Sequence, residues 1–265
     1  MGPRQINPVL AGTLSFAAMG VAWEALVRVG WWNPFFTSQP SAIAAALVAQ
    51  ARSGDLARNA GVSLAEFAAG YLGAAVCGIL LGLLAGRYRS FESVLDPILW
   101  FLYSAPLVAL FPMFVIWLGL GWRTVVAIAF LLALPPITAN TIGGIHEVNP
   151  SLIRAAQSFG AKDRDLLLKV LLPASVPLIV AGLRLGVGRA LTGVVVAELF
   201  GATAGLGYSI AYYGGLLKTT DMLASLMVVV VWGVAATQGL RAIEARFDSW
   251  RTNPEEWRPS SGMAE

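Results

Sequence analysis

The sequence predicts an all-α integral membrane protein with six transmembrane helices, and three observations carry that prediction. Of its 265 residues 57% are hydrophobic and only 12% charged, at a mean hydropathy of +0.70, whereas a soluble domain carries roughly 25% charged residues. The apolar residues fall into runs of about 20, the length that crosses a bilayer at about 1.5 Å rise per residue. Short charged or Gly/Pro-rich turns separate the runs, and their basic residues are shared unequally between the two sides.

The first span covers 9–29. Its apolar run is longer than the core of a cleaved signal and shows no small-residue cleavage site. Glu24 and Arg28 stand four apart, spaced for a pair on one face. Pro34 and Pro40 break up residues 30–61, where Ser41 is placed to cap a short alanine-rich interfacial helix ending near Ala51. The second span, 62–86, carries Gly78, Gly82 and Gly86 at four-residue spacing, a flat face for close packing within the chain or against a second copy.

The third span, 94–118, contains Pro106 and Pro112, each expected to bend the helix and free a carbonyl. With Tyr103 and Ser104 just ahead of Pro106, this kinked stretch is a candidate lining of a translocation pathway. The fourth span, 124–145, holds Pro135 and Pro136, then Thr138, Asn140 and Thr141. The fifth, 176–200, carries Arg184, Arg189 and Glu198. Arg184 snorkels to the near surface, while Arg189 and Glu198 lie deeper and are candidate pathway groups. Nine residues at about 100° each set those two on nearly opposite faces, so each needs a partner on another helix or a watery cavity. Residues 201–221, with Gly205, Gly207 and Tyr208, read as an outer turn or shallow re-entrant piece, and 222–240 as the sixth span. The tail, 241–265, carries Arg241, Arg246, Trp250, Arg251 and Arg258 and reads as an amphipathic anchor at the inner leaflet.

Between spans four and five, residues 147–175 are rich in charge. Ala155 and Ala156 keep a first short helix slim, and Gly160 allows a left-handed turn at little cost. Asp163 and Asp165 open a second helix, where acidic groups suit the dipole. Val170, Leu171 and Leu172 form an apolar ridge, and Pro173 is expected to stop the helix. The whole has the form of a projection that docks into a groove of another protein. Putting this loop in the cytoplasm sets eleven of the 18 Lys and Arg inside and five outside, with two inside span five. The bias predicts both termini inside.

The same residues exclude several functions. A net charge of +3, dispersed along the chain, does not suit nucleic acid. Cys77 is the single cysteine and His146 the single histidine, which leaves no disulfide, metal site or cofactor to expect. His146 reads as a hydrogen-bonding group at a helix end. No Gly-Lys dipeptide occurs, so a P-loop is absent, as are Gly-x-Ser-x-Gly and His-Glu-x-x-His. If ATP drives this protein, another chain hydrolyses it.

Ala155-Ala156, Gly160 and Val170-x-Leu172-Pro173 resemble the "EAA…G…I-x-L-P" coupling loop of ABC importer permeases, at the family's spacings, with Arg154 where the family has Glu. Leu95-Asp96-Pro97, the stretch from Pro106 to Pro112, Gly119-Leu120-Gly121, Gly182-Leu183-Arg184, Ala197-Glu198 and Gly205-Leu206-Gly207-Tyr208 extend the likeness over nearly the whole chain. They are similar to the branch that serves aliphatic sulfonates, taurine, nitrate and bicarbonate. That branch also includes permeases for thiamine-precursor pyrimidines and riboflavin, a neutral alternative. The resemblance implies a multi-pass permease of the bacterial inner membrane, paired with a second copy. It also implies two ATP-binding cassette ATPase subunits and a periplasmic or lipid-anchored solute-binding protein as partners. Arg154, Ala155, Ala156, Gly160, Ala161, Lys162, Asp163, Arg164 and Pro173 would then form the ATPase-coupling surface. An ion-coupled secondary transporter is the competing class, but the chain shows no clear internal repeat and that class leaves the loop unexplained.

Overall fold

The computed structural model of the chain describes residues 8–248. Arg4, Trp250, Arg251, Arg258 and most of the tail anchor lie outside the described residues. Among the described residues every regular element is helical: α1 (Pro8–Arg28), α2 (Pro34–Thr37), α3 (Pro40–Ser53), α4 (Asp55–Arg87), α5 (Arg89–Ser104), α6 (Phe111–Leu118) and α7 (Trp122–His146). There follow α8 (Pro150–Ser158), α9 (Asp163–Leu166), a π-helical turn Leu167–Leu171, α10 (Leu172–Gly201), α11 (Leu206–Gly215) and α12 (Thr219–Asp248). Among the described residues, four helical stretches are long and apolar enough to cross a membrane: Asp55–Arg87, Trp122–His146, Asp163–Gly201 and Thr219–Ala242.

α7 is the axis of the molecule. In its apolar window 61% of residues are buried, against 33% or less in the other three. Small residues on its neighbours explain this. A Cβ added at Gly78 or Gly86 of α4 would lie 2.9 Å and 2.8 Å from Ile137 and Ile145 of α7, and one at Gly82 would meet Thr141. The glycine stripe therefore packs within the chain. α10 approaches from the other side through Gly182, Gly186 and Gly193, against Asn140, Ile137 and Ala129. Inside α7, Pro135 and Pro136 remove two helix donors. Nearby polar side chains turn back onto the helix: Thr138 donates to the Leu134 carbonyl, Asn140 to Pro136 and Thr141 to Ile137, at 2.7–2.8 Å.

Three sequence expectations are corrected. Residues 94–118 do not form one bent helix. α5 ends at Ser104, residues 105–110 turn, and α6 starts at Phe111 with Pro112 in its first turn, where no N–H is required. The chain is broken rather than bent because Pro106 and Pro112 lie only six residues apart. Ser41 does not cap α3, whose N-cap is Gln39. Its backbone N–H and hydroxyl donate to Glu24, which also pairs with Arg28 at 2.7 Å, so Ser41 ties α3 to α1. Pro173 does not stop the helix. Leu172 N–H donates to the Leu167 carbonyl, five residues back, and this wide turn lets the chain run on into α10 with Pro173 at its start.

Candidate functional site

The loop between α7 and α10 is built as a stiff cap. Asn149 accepts from Ser151 N–H at 2.9 Å and Pro150 opens α8. α8 closes with Gly160 N–H on the Gln157 carbonyl and Ala161 N–H on Ala156, at 2.9 and 3.0 Å, with Gly160 at φ +79°. That paired closure is the Schellman arrangement, and it requires the left-handed residue. Asp163 lies in the first turn of α9 and pairs with Arg87 of α4 at 2.6 Å. Asp165 pairs with Lys169 at 2.7 Å.

The apolar ridge does not face outward. Leu171 is buried with Leu166 against Leu83, Ile145 and Val148, and Val170 and Leu172 are half-buried around the same cluster. The outward face belongs to α8: Leu152, Ala155 and Phe159 are exposed at i, i+3 and i+7, Phe159 to 93%. Arg154, Lys162, Arg164, Gly160 and Pro173 are exposed as well, with Ala156 and Ala161 half-buried. The sequence reading does not single out Leu152 and Phe159, although their seven-residue spacing around Ala155 marks one helix face.

A second feature lies between the long apolar helices α7 and α10. The turn between α5 and α6, the proline pair of α7 and one face of α10 border a half-open cavity of about 210 Å³. Tyr103, Pro106 and Arg189 line it together, along with Pro135, Pro136 and Thr192. Arg189 makes no ion pair among the described residues, so its guanidinium is available to the cavity. Ser104 is exposed but is not part of the lining.

Glu198 stands apart from that cavity. It is 1% exposed and accepts from Ser63 Oγ at 2.5 Å and from Gly207 N–H at 2.6 Å. Ser63 Oγ in turn accepts from Leu206 N–H at 2.8 Å, and Asn59 Oδ1 from Gly205 N–H at 3.0 Å. Three successive N–H groups at the start of α11 thus end on side chains of α4 and α10. Gly205, at φ +118°, and Gly207 allow this, because a side chain at either would run into Glu198. Glu66, one turn beyond Ser63, is also buried. Asn59, Ser63 and Glu66 are absent from the sequence-based candidates; their i, i+4, i+7 spacing on an apolar helix is the signal that marks them.

Helices of this length and apolarity make the chain a multi-pass membrane protein. The family model described as "Binding-protein-dependent transport system inner membrane component" matches residues 78–248, and the chain belongs to that family. A putative ABC transporter permease protein of Methanocaldococcus jannaschii is 35% identical over 243 residues, 90% of this chain and 91% of the relative. The taurine transport system permease protein TauC of Escherichia coli is 30% identical over 246 residues, 90% of each chain. Among solved structures, an inward-facing form of the MetNI methionine ABC transporter superposes with a TM-score of 0.58 at 21% identity. That match covers 70% of this chain and 92% of the other, and it shows a shared fold. The chain is accordingly an inner-membrane permease component of an ABC import system. ATP hydrolysis belongs to separate ATPase subunits, and a binding protein serves the system.

Proposed function

We propose that this permease carries a small organic anion of the sulfonate class into the cell through the cavity lined by Tyr103, Pro106 and Arg189. One observation carries the reading: an arginine without an ion-pair partner among the described residues, in the wall of a cavity bordered by α7 and α10, two of the long apolar helices. Holding such a charge at the bilayer centre costs about 2.5–3.5 kcal/mol or more, so a site of this kind favours a solute that supplies the counter-charge. The likeness to a taurine permease supports the same chemistry.

In this reading the six spans are α1, α4, the α5–α6 pair, α7, α10 and α12. Both termini and the 147–175 loop are cytoplasmic, in line with the basic-residue bias. Two copies of the chain form the pathway. α8 with Gly160, Ala161, Lys162, Asp163 and Arg164 docks on the ATPase, with Leu152, Ala155 and Phe159 as its apolar face. Nucleotide-driven closure of the ATPase pair biases the permease between inward and outward states through the differing contacts of each.

The test is uptake in proteoliposomes holding permease, ATPase and binding protein. Arg189→Ala should abolish uptake of an aminosulfonate, with Arg189→Lys retaining part of it. Unchanged uptake by Arg189→Ala would overturn the reading. Uptake of a neutral pyrimidine, indifferent to that change, would favour the heterocycle class instead.

A further inference from the structure

α5 has three distinct faces. Leu95 and Leu99 are buried against Ala85 and Ile142. Val94, Ile98 and Phe101 form an exposed apolar face. Arg89, Glu92, Ser93, Asp96, Trp100 and Tyr103 follow one another at i, i+3, i+4, i+7, i+11 and i+14, a single stripe along the helix. The stripe joins two cavities. At its far end Tyr103 lines the Arg189 cavity. At its near end Arg89, Glu92, Ser93 and Asp96, with Arg87 and His146, line an open cavity of about 520 Å³ beside the docking loop.

Between the two stands Trp100, exposed, with its ring 6.4 Å from that of Tyr103. From Tyr103 to Asp96 is seven residues, about 10 Å along the axis. Pro97 also leaves the Ser93 carbonyl, on the same stripe, without its helix donor. The near cavity is mixed in charge. Glu92 is 3.5 Å from His146 and Arg87 is paired with Asp163, while Arg89 and Asp96 have no ion-pair partner among the described residues.

We propose that this stripe is the exit track of the permease and that it suits small dipolar solutes, those with an anionic and a cationic end. Resting on the Arg189 cavity as the pathway, the inference adds the route out and the second charge. A solute leaving Arg189 slides past the Trp100 ring and reaches a site that offers a carboxylate and a guanidinium together. A plain anion meets repulsion from Glu92 and Asp96 there. An aminosulfonate finds Asp96 for its ammonium and Arg89 for its sulfonate.

The test uses the whole reconstituted transporter in a Cys77→Ser background, since Cys77 is exposed. Trp100→Cys and Ser93→Cys probe the stripe and leave its charged groups in place. Ile98→Cys, on the apolar face, is the control, and Thr192→Cys, in the wall of the Arg189 cavity, reports on that cavity with the guanidinium left in place. A membrane-impermeant thiol reagent is applied from the ATPase side. Stripe positions should react roughly tenfold faster than position 98, and a two-carbon aminosulfonate should slow them roughly tenfold. Stripe positions that label like 98, while 192 is protected by the solute, would overturn the exit track and leave the pathway reading standing. Lack of protection at 192 with a protected stripe would overturn the pathway reading alone. Equal protection by an alkanesulfonate lacking the ammonium would overturn the dipolar class.

Discussion

Arg87 at the end of α4 and Asp163 at the start of α9 form an ion pair of 2.6 Å, with the Arg87 guanidinium 5.3 Å from the centre of the Tyr88 ring. The pair ties the α8–α9 loop to α4, but both groups are partly exposed, and pairs of that kind contribute about 0–1 kcal/mol. Burying a leucine contributes about 1.5–3 kcal/mol. The inward-facing Leu166 and Leu171 therefore hold the loop more than the ion pair does.

Asp163→Asn should accordingly lower stability by less than about 1 kcal/mol, and Leu171→Ala by about 2–5 kcal/mol. Denaturation of the two variants in one detergent gives the comparison. Equal losses would mean that the ion pair, rather than the leucine cluster, fixes the loop.

Phe159 projects from the loop, and none of the described residues covers it. Phe159→Ala should leave the melting temperature unchanged and weaken ATPase binding by about 2 kcal/mol, roughly thirty-fold in Kd. Gly160→Ala should act differently. Among the described residues no neighbour lies within 4 Å of the added Cβ, so its cost is the left-handed backbone, about 1–2 kcal/mol, with a smaller loss of binding. Titration of the detergent-solubilised permease with its ATPase checks both.

Glu198 fixes α11 by accepting from Ser63 and Gly207. Glu198→Ala orphans the buried Gly207 N–H and removes the Ser63 acceptor, at about 1–3 kcal/mol for each group. Glu198→Gln keeps one acceptor for Gly207 and can donate to Ser63, so it should lose about half as much or less. Proteolysis within residues 201–218 should be accelerated by the alanine change and barely altered by the glutamine. Equal susceptibility would remove the lock from Glu198.

Long apolar runs mark α4, α7, α10 and α12 in the sequence, because burial in lipid imposes the signal residue by residue. Gly160 likewise announces the loop's turn, because few residues tolerate that backbone. What stays hidden depends on partners distant in sequence. Nothing local says that Leu171 faces Leu83 and Phe159 faces out, since both are apolar residues in a charged loop. Glu198 and Arg189 look alike as membrane charges. Only tertiary packing separates one held by α4 and α11 from one left open to a cavity. Pro173 misleads because the sequence carries no mark of the π turn that accommodates it.

Two glycines on α4 test whether the packing against α7 is as close as described. Gly61 has no atom within 4 Å of an added Cβ, whereas a Cβ at Gly82 would meet both the Thr141 side chain and the Thr138 carbonyl. Gly61→Ala removes unfolded-state freedom at an unstrained helical position and should stabilise by about 0.4–1 kcal/mol. Gly82→Ala gains the same backbone benefit but forces α4 and α7 apart, an overpacking cost of about 1–3 kcal/mol, so its net effect should be destabilising. The opposite signs are the measurement, read from melting temperatures of the two variants. A stabilising Gly82→Ala would mean that the helices have slack at this level, and the glycine stripe would then lose its role as the seam that lets α7 sit at the centre.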